Sequence, residues 1–143
     1  MNGKFLLAAL AATVIAFGGG FAVYGLLEDY YNSHTSAGAL ALQKEEPIIW
    51  AMIVGYVFWG LLPTYVVNIS GKHSFGGGFM VGLILGFFMI AGFDLFFYSY
   101  MNMYNDLGIV VVDILTNTVF IGIVGGVAGW VLGRGSKSKP VAA

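Results

Sequence analysis

Cysteine is absent from the 143-residue chain, which excludes disulfides, thiolate nucleophiles and cysteine-based metal sites together. Histidine is nearly absent. His34 and His73 are the only two, they form no paired motif, and a zinc or haem site has too few ligands. Charge is scarce as well, at 9% of residues against roughly 25% in soluble domains. So few charges cannot clothe a water-facing surface, and lipid is expected to be the main solvent. A net charge of −1 argues against nucleic acid as a partner. The length suits one domain, 1–143, without a separate soluble module.

What the chain has instead is hydrophobic length: 59% hydrophobic residues and a mean hydropathy of +0.87. A transmembrane helix needs about 20 mostly apolar residues. Four stretches supply them, Phe5 to Leu27, Ile48 to Ile69, Phe75 to Tyr100 and Ile109 to Leu132. Lys44, Glu45 and Glu46 precede Pro47, which suits the first turn of span two, where its missing N–H is not needed. Ser70 to His73 reads as a tight connection, as does Asn105 to Gly108, with Asp106 a candidate cap for the last helix. The first apolar run covers 23 residues. Signal-peptide cores cover about 7–15, so a retained helix is expected.

Basic residues stay cytoplasmic. Lys4, Lys72, Arg134, Lys137 and Lys139 fall on one side of a four-span thread, and only Lys44 falls on the other. Both termini are therefore expected in the cytoplasm, with Glu28 to Pro47 as the outer loop. Residues 134–143 read as a flexible basic tail able to touch a partner or anionic lipid. The Asn68-Ile69-Ser70 triplet falls at the cytoplasmic membrane edge, out of reach of glycosylation.

Lipid is as apolar as leucine, so helices in a membrane associate where small residues let their backbones close up. Span one offers Ala8, Ala12, Ala16 and Gly20. Span three offers Gly78, Gly82 and Gly86, and span four Gly125, Gly129 and Gly133, with Gly122 and Gly126 on the next row. The expectation is an all-α, up-down bundle of four transmembrane helices held at these seams; a sharper one gives the span-four seam to a homodimer. Pro63 is expected to bend span two. Gly71 to Gly78 is glycine-rich but lacks the strand and spacing of a phosphate-binding loop.

Polar residues inside the spans share one depth. Asp94 lies near the outer end of span three, with Tyr98 and Asn102 at i+4 and i+8 on the same helical face. Span four runs the other way, bringing Asp113, Thr116 and Asn117 to a similar level, where span one ends in Tyr24 and Glu28. A charged carboxylate at membrane depth costs about 2.5–3.5 kcal/mol on insertion scales. No lysine or arginine within these stretches offsets it. Three resolutions are open: the acids are protonated, or they are hydrogen-bonded by Tyr98, Asn102, Asn117, Thr116 or Tyr24, or they face a wet pocket that admits a cation or polar ligand. A purely structural polar network is the alternative to a working site. Tyr30, Tyr31, Tyr100 and Tyr104, with Trp50, read as an outer aromatic belt, and Trp130 as the inner edge.

Phe93-Asp94 on span three, Val111-Val112-Asp113-Ile114 opening span four, Gly129-Trp130 and the Tyr-Gly pair closing Gly20 to Gly25 carry a resemblance. The chain resembles small four-helix bacterial inner-membrane proteins classed as a domain of unknown function. It departs from their pattern at Leu95-Phe96-Phe97, where the span-three acid is otherwise followed by a small polar pair. The resemblance implies the bacterial inner (plasma) membrane and four helices; it brings no known activity, and any cofactor is left unknown.

Two functions compete. One is a cation- or proton-coupled transporter, channel or ligand-binding protein that uses Asp94 and Asp113 and works as a dimer. The other is a non-catalytic accessory or scaffold subunit of a larger membrane complex. An enzyme is disfavoured, since no nucleophile–base pair or metal motif is present.

Overall fold

Backbone N–H and C=O groups in lipid must be satisfied within their own segment, so long apolar stretches coil into helices. The computed structural model describes residues 3–134. It contains α1 (Gly3–Leu26), α2 (Glu28–His34), α3 (Ala37–Leu40), α4 (Ile49–Ser70), α5 (Phe75–Tyr100) and α6 (Leu107–Gly133). The described residues form no strand, and a lone bridge joins Thr35 and Tyr104. Helices α1, α4, α5 and α6 are long and apolar enough to cross a membrane, and they fall on the four expected stretches. Of the expected basic tail, 135–143 lies outside the described residues, while Arg134 stacks its guanidinium 3.6 Å over the Trp130 ring.

Local chemistry sets the boundaries. Asp106 accepts hydrogen bonds from the Gly108 and Ile109 amides at 2.6 and 3.3 Å, and this cap starts α6 two residues before the hydrophobic run. Ser74 caps α5 by accepting from the Gly77 amide at 3.1 Å. Gly71 ends α4 at φ 67°, a left-handed conformation open to glycine without steric cost. Pro63 is buried and does not interrupt α4. Thr64 Oγ1 beside it donates to the Gly60 carbonyl at 2.7 Å.

Packing follows the small residues. On α5 the buried positions are Gly78, Gly82, Gly86, Ile90 and Asp94, a single stripe of four-residue steps. Gly78 meets Gly125 and Gly129, Gly82 meets Ile121 and Gly122, and Gly86 meets Thr118 and Ile121. Each step along α5 is thus a step back along α6, so the two are antiparallel. A Cβ on Gly125 would lie 2.6 Å from the Gly78 carbonyl oxygen and 3.1 Å from the Gly82 Cα, which shows how near the backbones lie. Gly133 closes on the His73 carbonyl at the end of the seam. The span-four row is therefore occupied inside the chain by span three, where a homodimer seam was one expectation.

Helix α1 supplies Ala8, Ala12 and Ala16 to two clusters with Val131, Leu132, Val124 and Ala128 of α6 and Val67 of α4. Gly60 of α4 lies on the Thr13 backbone, and Gly20 lies under the Tyr56 ring. Helix α1 runs antiparallel to both neighbours, which gives an up-down arrangement with α6 in contact with the other three long helices.

The segment between α1 and α4 is more than a loop. Ser36 N donates to Met103 O and Asn105 N to His34 O, at 2.9 and 2.8 Å. Ser36 Oγ donates to Asn102 O at 2.6 Å, and the Asn105 side-chain amide reaches the Ser33 and Thr35 carbonyls at 3.3 Å. These bonds stitch α2 and α3 onto the α5–α6 link and roof that end of the bundle.

The seam makes a direct expectation. Gly125→Ala is expected to destabilise the fold by about 1–3 kcal/mol, because backbone cannot yield as a side chain does. Gly92→Ala meets nothing within 4 Å and is expected to be neutral or stabilising by up to about 1 kcal/mol. Thermal melts in detergent check both; equal Tm values would contradict the seam.

Candidate functional site

The glycine stripe of α5 decides where Asp94 points. Asp94 stands two four-residue steps beyond Gly86, on the face pressed against α6, and it is only 6% exposed. The antiparallel register places Asp113 of α6 opposite. The two carboxyls interact directly, and Tyr104 from the α5–α6 link faces Asp94 from the roof. Asp94 Oδ2 is nevertheless buried with no hydrogen-bond partner among the described residues.

Asp113 is better supplied. Its Oδ1 accepts the Tyr31 hydroxyl at 2.6 Å, a short bond of the kind made to a charged acceptor. One turn further on, Asn117 donates its amide to the Asp113 carbonyl at 3.1 Å. Its Oδ1 accepts the Tyr24 hydroxyl at 3.2 Å. Tyr24 and Tyr31 pack ring against ring with centroids 5.5 Å apart. Tyrosines from α1, α2 and the α5–α6 link therefore surround two acids from α5 and α6.

The electrostatics are one-sided, since among the described residues no lysine or arginine reaches Asp94. Outside the spans, Tyr31 is held well above the usual tyrosine range by burial first, then by its hydrogen bond to Asp113 and the charge there. Tyr104 is raised by burial and by the charges of Asp94 and Asp113. Both phenols keep their protons, so each can donate to a carboxylate.

Of the residues expected in the cluster, Asp94, Asp113, Asn117 and Tyr24 come together. Tyr98 and Asn102 do not. Tyr98, one turn beyond Asp94 on α5, is exposed. Asn102 lies past the end of α5, where helical spacing no longer applies. Its side chain is exposed, and only its carbonyl is engaged, by Ser36. Glu28 is exposed at the start of α2 and Thr116 half-buried on α6; neither hydrogen-bonds to the acids among the described residues. Tyr31 and Tyr104, expected in an aromatic belt, turn inward. The sequence signal for them was the concentration of tyrosines in 24–31 and 98–104, the second group lying between the two acids.

A cavity of about 260 Å³ opens beside Asp113. It lies among α1, α4, α5 and α6, and its lining includes Tyr24, Tyr56, Trp59, Asp113, Asn117 and Phe120. Among the described residues no group of three or more His, Cys, Asp or Glu side chains could hold a metal ion. The arrangement can hold or exchange a proton and can present negative charge to a small guest. No family model, no curated protein and no solved structure matches the chain.

Tyr31→Phe removes the donor to Asp113 and is expected to cost about 1–2 kcal/mol, the low side for a charged acceptor because Tyr31 is only half-buried. The linkage has a definite sign. Tyr31 and Tyr104 hold their protons more tightly folded than unfolded, so their contribution is complete below about pH 10 and is lost as pH rises past it. Melting curves across that range are expected to fall less steeply with pH for Tyr31→Phe and Tyr104→Phe. An unchanged slope would contradict the placement of these phenols.

Proposed function

We propose that the chain is an integral membrane protein in which Asp94 and Asp113 form a proton- or cation-exchanging site serving transport or ligand binding. The observation that carries this reading is Asp94 itself. It is buried beside a second carboxyl, with one oxygen unpartnered and no base to neutralise it among the described residues. An asparagine could bridge the same helices without the cost of a buried charge, and acids at membrane depth are functional by default. Two bare carboxylates side by side in apolar surroundings repel strongly, so the pair keeps at least one proton or takes up a cation in its place. Replacing a proton by a monovalent cation leaves the charge of the site unchanged.

The excess of Lys4, Lys72 and Arg134 over Lys44 supports cytoplasmic termini and an acid pair in the outer half of the membrane. The resemblance to bacterial inner-membrane proteins supports that membrane as its location. Four helices seldom enclose a path alone, so transport would use a dimer or a larger assembly.

A hydrophobic carbodiimide, whose central carbon takes up the oxygen of a protonated carboxyl in apolar surroundings as the proton passes to its nitrogen, tests the site. The groups facing the pair are Tyr24 from α1, Tyr31 from α2 and Tyr104 from the link; phenols ionise in water near pH 10, so the carboxyls alone change charge below that. Labelling mapped by mass spectrometry is expected to fall as pH or cation concentration rises. Asp94→Asn is expected to abolish it, with folded yield intact. Labelling indifferent to pH and cation, or lost only through misfolding, would overturn the proposal. For the orientation, the cysteine-free background permits single-cysteine labelling. Lys44→Cys is expected to react with an impermeant maleimide from outside, and Lys72→Cys only after permeabilisation; the reverse pattern would overturn it.

A further inference from the structure

The cavity beside Asp113 has a composition that selects among cations. Its walls are aromatic on three elements, with Tyr24 from α1, Tyr56 and Trp59 from α4 and Phe120 from α6. Its carboxyl and amide groups lie together on α6, where Asp113 and Asn117 are one turn apart and Tyr24 and Tyr31 anchor them. Building on the exchange site proposed above, we propose that the cation is an organic ammonium ion with a small apolar body. It would sit in this cavity with its nitrogen toward the Asp113 carboxylate and its carbons against the aromatic faces.

Charge, walls and size each support this choice. Among the described residues the formal charge lining the cavity is the Asp113 carboxylate, with no lysine or arginine in the lining, so a carboxylate or phosphate guest would be repelled. An inorganic cation must exchange its water shell for oxygens, and hard divalent cations take about six to eight of them; this wall is mainly ring and aliphatic carbon. An organic ammonium is weakly hydrated and is attracted to ring faces, most strongly to tryptophan. Pockets for drug-sized ligands run to about 300–1,000 Å³. At about 260 Å³ the cavity holds roughly nine waters' worth of volume, which favours an ammonium with a few short carbon chains. A purely apolar guest would leave Asp113 without a counter-charge.

The location couples binding to the acid pair. Asp113 belongs to the cavity wall and to the pair with Asp94. Arrival of the ammonium beside the Asp113 carboxylate therefore releases the pair's proton from Asp94, which leaves to water while the charge of the site stays constant. Asp94 lies behind Asp113 and acts on the guest only through it.

Tetraethylammonium is the probe, added to the purified full chain in detergent, with protection of the acids from carbodiimide as the readout. Tetraethylammonium is expected to protect at a concentration at least tenfold below that of sodium ion. It should also outperform, by the same margin, its uncharged isostere with carbon in place of nitrogen. Trp59→Leu, checked for folding by its melt, is expected to raise the protecting concentration about tenfold, the loss of one desolvated ring face. Equal protection by sodium would overturn the organic character of the guest. Equal protection by the uncharged isostere would overturn its charge and make this a lipid-filled apolar cavity. If labelling responds to pH but not to tetraethylammonium, this inference fails and the exchange site stands. If labelling does not respond to pH or any cation, both fail.

Discussion

Backbone contact between α5 and α6 is the constraint on which the rest of the molecule depends. Gly78 and Gly82 press against the backbone of Ile121, Gly122, Gly125 and Gly129 with no side chain between, and Gly86 packs on Thr118 and the Ile121 side chain. Such contact is the main way to gain helix–helix attraction where burial from lipid gives none. It also fixes rotation and register together. Once the glycine stripe of α5 faces α6, Ile90 and Asp94 must face it too, and the antiparallel direction leaves Asp113 as the partner. The acid pair is thus a consequence of the seam, four-residue step by four-residue step.

The roof completes what the seam begins. Buried acids without a base need donors, and the helices offer few: Asn117 and Tyr24 satisfy each other and the α6 backbone. Tyr31 arrives only because the α2–α3 segment is stitched to the α5–α6 link through Ser36, Asn105 and their backbone neighbours. Tyr104 comes from the link itself. Stabilisation of the pair therefore rests on polar loop contacts at one end of the bundle, and the apolar packing of α1 against α6 holds the other. Local opening of the roof would expose the acids to water without unfolding the helices, a division of stability expected where a site must exchange with its surroundings.

The helices and their seams were legible in the sequence because hydropathy and four-residue spacing act locally. The Asp106 cap was legible for the same reason, and so was the shared depth of Asp94, Asp113, Asn117 and Tyr24, which needs only span direction and the rise per residue. Asn102 was placed by helical periodicity carried past the end of α5, and Tyr98 by a periodicity that its exposure does not follow. Tyr31 and Tyr104 were assigned to a belt because interfacial tyrosines commonly form one. Their inward turn depends on pairing between 33–36 and 102–105, a nonlocal match of backbone groups that carries no periodic signal. The cavity was invisible for a related reason, since its walls come from four helices and its shape from glycines such as Gly20 and Gly55.

The central claim is that Asp94 and Asp113 exchange a proton for a cation, and infrared difference spectroscopy reads the carboxyls themselves. On adding a cation to the purified protein, the account predicts loss of a protonated-carboxyl band and gain of a carboxylate band, both absent from Asp94→Asn. A protonated-carboxyl band indifferent to cation, or an identical difference spectrum in Asp94→Asn, would contradict it.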